Sequence, residues 1–136
     1  MALCRRALPG MVDARFGRVV ALGSLAAHTG MPGGTLYAAA KAGLEGLVRG
    51  IALDYGRRGV TANAVSIGFT ATERLEARLA GDPAARQRLD AATARKSVLE
   101  VDEVAAAVVF LCSARASGIT GAVLPVTAGA HLNNLW

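Results

Sequence analysis

The chain has 136 residues, a net charge of +5, 53% hydrophobic and 18% charged positions. That length holds one domain or part of one, and its apolar share is high for a domain of this size, as suits a sheet and helices covered by a further segment or a partner subunit. No apolar run approaches the ~18 residues of a membrane span, Cys4 and Cys112 are too few and too isolated for a disulfide framework or a metal site, and the low aromatic content, with no basic–aromatic stripe, argues against nucleic-acid binding. Met1 to Arg6 is not followed by an apolar signal core. No signal peptide is expected, and a cytoplasmic location is the default. The scattered arginines read as a solvated basic surface, which also favours an anionic cofactor or acyl carrier.

In chain order, residues 1–14 read as a helix that ends in a Gly-rich turn. Its stripe is Leu3, Ala7, Leu8 and Met11, broken by Pro9-Gly10. Residues 18–23 are a short continuous apolar run, the pattern of a buried parallel strand. Ser24 closes that run at its carboxyl end, where open α/β sheets place their ligands. Residues 25–36 form a loop with Gly30, Pro32, Gly33 and Gly34. His28 lies in it. A hydrolytic Ser24–His28 arrangement is rejected, because no acid stands nearby in the chain to orient the ring and no G-x-S-x-G elbow is present.

Residues 37–56 read as a long helix with Tyr37, Lys41, Leu44, Val48 and Ile51 on one stripe. Tyr37 and Lys41 are four apart, so their side chains share a face one turn apart. An ammonium held near a phenol favours the phenolate, and a phenol tuned in that way exchanges a proton with a hydroxyl or carbonyl oxygen. Lysine is rare here: only Lys41 and Lys96 occur among 15 basic positions. The two cations are not interchangeable in proton chemistry. Small residues (Ala39, Ala42, Gly43, Gly46, Gly50) permit close approach of another backbone to this helix. Gly56 and Gly59 end it.

Residues 59–65 read as a second buried strand, followed by a loop Ser66-Ile67-Gly68-Phe69-Thr70-Ala71-Thr72. Residues 73–96 are Ala- and Arg-rich and predict one or two mobile amphipathic helices forming a lid. Residues 101–114 predict a helix with Asp102 and Glu103 suiting its dipole and Val104, Val108 and Leu111 buried. Residues 122–126 predict a last strand, which Pro125 places at an edge or a strand end. The tail to Trp136 reads as surface or interface.

The order and spacing of Ser24, Tyr37-x-x-x-Lys41, Val60-Thr61-Ala62-Asn63-Ala64-Val65 and Thr72 resemble the short-chain dehydrogenase/reductase family. So do Ile119-Thr120-Gly121 and Val126-Thr127-Ala128-Gly129 near the end. The resemblance covers nearly the whole chain and is most similar to the 3-oxoacyl-carrier-protein reductase branch. It implies an α/β fold, a doubly wound parallel sheet of Rossmann type in three layers, of which residues 1–136 would be the C-terminal half. It implies an oxidoreductase that exchanges hydride between NAD or NADP and a secondary alcohol or ketone. Tyr37 would be the general acid/base, Lys41 its cation and a ribose ligand, and Ser24 the group that polarises the carbonyl. Gly68, Thr70 and Thr72 would meet the nicotinamide end of the cofactor. The long helix would join a bundle between subunits of a dimer or tetramer. No metal is implied.

Two departures stand out. Ile67 occupies the place where the family usually has Pro, which loosens the turn. No Gly-rich phosphate turn precedes Ser24, and neither the residue that selects NAD or NADP nor the family's catalytic Asn is present. A second expectation follows: a truncated, catalytically silent relative that pairs subunits through the Tyr37 helix.

Overall fold

The structure is a computed structural model and describes residues 2–132. Three strands, β1 (Gly17–Leu22), β2 (Val60–Ile67) and β3 (Val123–Val126), form one parallel sheet in the order β1-β2-β3. Register runs from Gly17 opposite Val60 to Leu22 opposite Val65, and from Ala64 opposite Val123 to Ile67 opposite Val126. Among the described residues six α-helices accompany it: α1 (Ala2–Asp13), α2 (Ala26–Thr29), α3 (Thr35–Tyr55), α4 (Glu73–Leu79), α5 (Pro83–Ala91) and α6 (Val101–Cys112).

Strand β2 is central, and seven of its eight residues are buried. Its alternate side chains feed two cores, as the period of a strand requires. Val60, Ala62 and Ala64 pack with Leu8 of α1 and Val48 and Ile51 of α3. Val65 packs on the other face with Leu111 of α6 and Ala116, with Val108 and Ile67 alongside. The result is the expected α/β/α layering. Pro125 is exposed on β3, which lies at one edge of the sheet. There its missing N–H costs no ladder bond.

Several boundaries differ from expectation. Helix α1 runs through Pro9 to Asp13. Burial of Leu8, with Cys4, Met11 and Val12 packed beside it, holds the helix across the lost bond. Leu3 is 80% exposed, so the buried stripe is Cys4, Leu8, Met11 and Val12 rather than one that starts at Leu3. The chain then turns at Arg15 (φ 48°), without a glycine. Residues 25–36 are not all loop, since α2 makes one turn within them. Strand β2 extends to Ile67, whose carbonyl accepts from Leu25 N–H at 2.9 Å. The Ile67 position is therefore ladder-bonded rather than loosened. Gly59 does close α3 as expected: after the 3-10 turn Gly56–Arg58 it takes φ 83°, and a Cβ there would collide with the carbonyl of Arg15. Residues 133–136, including Trp136, lie outside the described residues.

Candidate active site

The carboxyl ends of β1 and β2 build the site. Gly23 N–H donates to Val65 O at 2.8 Å, and Leu25 N–H to Ile67 O, so the chain on either side of Ser24 is pinned to β2. A Cβ on Gly23 would stand 3.0 Å from the Val65 oxygen, a closeness that favours glycine. Ser24 is half-buried, and its Oγ accepts from Ala26 N–H at 3.2 Å, which starts α2.

Tyr37 lies in the first turn of α3 and is 45% exposed. Lys41 is one turn further on. Its Nζ stands 5.6 Å from the centroid of the Tyr37 ring and donates to the Leu22 carbonyl at 2.7 Å. One ammonium thus touches the tyrosine and the last residue of β1, two positions before Ser24. The structure brings Tyr37 and Lys41 together directly. It sets Ser24 on the strand end that Lys41 grips, with no hydrogen bond from Ser24 to Tyr37 among the described residues.

Gly68, Thr70 and Thr72 follow β2. Gly68 N–H donates to Val126 O at 2.9 Å, and a Cβ there would lie 2.7 Å from Thr127 Cα, so glycine is required by contact with the segment after β3. Thr70 Oγ donates to Gly68 O at 3.2 Å. Thr72 Oγ accepts from Leu75 N–H at 3.3 Å and caps α4. Sequence reasoning gave Thr72 no such capping role, although a Thr just ahead of a helix is by itself an N-cap signal.

Beyond this loop, residues 73–96 form the two helices α4 and α5. Both ends of the unit are tied down. Thr70 pairs with Leu99 in an isolated bridge, and Asp90 Oδ1 accepts from Val98 N–H at 3.0 Å. A cleft of about 650 Å³ opens between the Met31-Pro32 segment, Phe69, and Leu75, Leu79 and Leu89 of the two helices. A second groove of about 670 Å³ is lined by Leu8, Val12, Leu47 and Ile51 between α1 and α3, and Ser24, Tyr37 and Lys41 line neither cavity.

The roles of two further residues escaped the sequence reading. Asn63 is fully buried, donating to Ile119 O at 2.8 Å and accepting from Ala122 N–H at 3.0 Å. It ties the turn before β3 to β2, and its place inside an apolar strand was the available signal. Glu45 is the acid the sequence did not place near His28: its Oε1 lies 2.8 Å from His28 Nε2. Among the described residues no cluster of three metal-ligating side chains occurs, and no helix is long and apolar enough to cross a membrane.

A family model described as enoyl-(acyl carrier protein) reductase matches residues 1–131. The chain is 38% identical over 131 residues to the 3-oxoacyl-(acyl-carrier-protein) reductase of Pseudomonas aeruginosa, covering 96% of this chain and 52% of that protein. It is 40% identical over 129 residues to the 3-oxoacyl-(acyl-carrier-protein) reductase of Mycobacterium avium, covering 92% and 48%. The solved structure of an oxidoreductase of the short-chain family from Burkholderia thailandensis superposes with a TM-score of 0.85 at 37% identity, over 93% of this chain and 50% of that one. The chain spans about half the length of the curated relatives it matches. With its parallel sheet and this likeness, the chain belongs to the short-chain dehydrogenase/reductase family of oxidoreductases.

Proposed function

We propose that the protein works in hydride exchange between a nicotinamide cofactor, NAD or NADP, and a secondary alcohol or ketone, with Tyr37 as general acid/base. The observation that carries this reading is the Lys41 ammonium, held between the Tyr37 ring and the carbonyl at the end of β1. An ammonium has three donors. One goes to Leu22, and two remain for the hydroxyls of a cofactor ribose. The half-exposed Tyr37 fits the same group. The nicotinamide supplies or accepts the hydride.

The remaining work falls to this chain. The substrate oxygen sits between Ser24 Oγ and the Tyr37 hydroxyl. Ser24 orients it with a hydrogen bond. Tyr37 gives it a proton in reduction and takes one in oxidation. Lys41 keeps a positive charge beside the ring during that transfer, and the backbone and hydroxyls from Gly68 to Thr72 bound the cofactor side. The cleft beside α4 and α5, where Arg78, Asp82 and Arg88 join Phe69, Leu75, Leu79 and Leu89, takes the rest of a small carbonyl or alcohol substrate. Tyr37→Phe removes the transferable proton and nothing else, so turnover should fall about 10²- to 10⁴-fold with an unchanged circular-dichroism spectrum. Near-normal turnover in that variant would remove this mechanism.

Self-association also belongs to the proposal. Gly43, Gly46 and Gly50 of α3 have no atoms within 4 Å of where a Cβ would stand, and Leu36 and Leu53 on this helix are more than 80% exposed. A helix so bare suits close packing against a second copy.

A further inference from the structure

His28 and Glu45 lie seventeen residues apart in the chain and meet between α2 and α3. His28 Nε2 is 2.8 Å from Glu45 Oε1, and the Glu45 side chain is only 9% exposed. Its other oxygen, Oε2, takes Arg49 Nη2 at 3.2 Å, one turn along α3. Oε1 accepts no aligned hydrogen bond, so the imidazole meets it by proximity alone. A carboxylate buried this far is costly unless cations face it. Here one cation comes from its own helix and the other partner from the element that begins at Ser24.

We infer that His28 and Glu45 are a clamp that sets the spacing of Ser24 from Tyr37. Both are positioning residues for the proton transfer, a role that rests on the oxidoreductase reading above. The need for a clamp follows from the connecting chain. Ser24 and Tyr37 are joined through the single turn of α2 and then through residues 30–34, where Gly30 (φ 72°) and Gly33 (φ 69°) adopt freely accessible glycine conformations. The start of α2 is pinned by Leu25 N–H on Ile67 O and by Ser24 Oγ on Ala26 N–H. Its far end has no such support from β2. Among the described residues, the His28–Glu45 contact is the only polar side-chain link between α2 and α3. Tyr37, Lys41, Glu45 and Arg49 follow one another at four-residue steps on one row of α3. The clamp therefore grips the helix on the row that carries the proton donor. Reacting groups must sit within fractions of an ångström of their productive places, and a displacement near 1 Å costs about 100-fold.

A purely structural contact would stabilise the chain without touching catalysis, and the test separates the two. The variants are His28→Leu, which removes the polar contact at a half-exposed position, His28→Arg, which sets a guanidinium against Glu45, and Glu45→Gln. Two readouts are taken on the whole protein: amide hydrogen exchange, and steady-state kinetics with NADH or NADPH and a simple ketone. In His28→Leu and Glu45→Gln, exchange across residues 25–34 should accelerate about tenfold while the β2 amides keep their protection. The kcat should fall about tenfold or more with KM for the nucleotide unchanged. His28→Arg should restore both. Unchanged exchange in residues 25–34 would overturn the clamp, and so would faster exchange with kcat intact or a failure of His28→Arg to rescue. If the unsubstituted protein shows no turnover at all, the oxidoreductase reading fails by itself. Faster exchange of residues 25–34 in His28→Leu, rescued by His28→Arg, would still uphold the clamp.

Discussion

Lys41 and Asn63 are the two side chains that do most to fix where the site lies. Lys41 reaches from α3 to the end of β1, and Asn63 reaches from β2 to the turn at Ile119 and Ala122. Asn63 is fully buried, and its two partners, the Ile119 carbonyl and the Ala122 N–H, are half-buried. Asn63→Leu keeps the volume but removes both hydrogen bonds. It should lower stability by about 2 kcal/mol, read as a shift of the urea midpoint at unchanged slope. At this scale the sequence was most informative where chemistry is local. Tyr37 and Lys41 meet because four residues make a helical turn, and that spacing is visible in the chain. The contact of His28 with Glu45 bridges two elements, and the angle at which α2 meets α3 is set by packing, which no spacing records.

At the level of elements, short apolar runs located the three strands among the described residues, while the helix ends followed packing and caps. Pro9 was read as a break because a proline removes one helical bond. The buried flank of α1 outweighs that single loss. Residues 73–96 gave two helices because Thr72 and Asp82 each accept a backbone N–H at a helix start and Gly81 (φ 84°) turns the chain between them. The first turn of α6 illustrates what a charge pattern hides. Asp102 and Glu103 were assigned to the helix dipole, yet Glu103 also accepts from Glu100 N–H at 2.8 Å and pairs with Arg95. The Arg95 guanidinium, followed by the Glu100 N–H, holds the Glu103 carboxyl down at about 2, against an ordinary 4.5. Because the folded value is the lower one, the contribution is complete above pH 4.5 and drains away as pH falls toward 2. Thermal scans between pH 5 and 2 should show the wild type losing its advantage over Glu103→Gln across that window. Parallel curves for the two proteins would show that the pair adds nothing to folding.

For the molecule as a whole, the bare side of α3 makes the strongest statement. Gly46→Glu places a charged side chain where nothing now stands within 4 Å, so the isolated chain should fold as before. If this face packs against a second copy, the substitution should shift the population toward monomer in light scattering. An unchanged association state would move the contact to another surface. The layered fold was legible through the family resemblance carried by Ser24, Tyr37-x-x-x-Lys41 and residues 60–65, with which three short apolar runs between helical stripes agree. The two cores on either side of β2 were not read in the sequence; they follow from the alternation of its side chains in the folded sheet.

The parallel sheet also governs how the protein comes to exist. A parallel pair cannot be closed by a hairpin. Joining β1 to β2 encloses roughly 40 residues, and joining β2 to β3 roughly 60. Every pairing is thus a distant one, and chains dominated by distant contacts fold slowly, toward milliseconds or longer. Helix α3 lies inside the first of these closures, with Lys41 reaching back to the strand that opens it. Strand pairing and the docking of Lys41 on the end of β1 are therefore a single kinetic event: a molecule that has not yet captured β2 does not hold the Tyr37–Lys41 turn against the sheet, and refolding followed by sheet content and refolding followed by the environment of Tyr37 should share one rate constant.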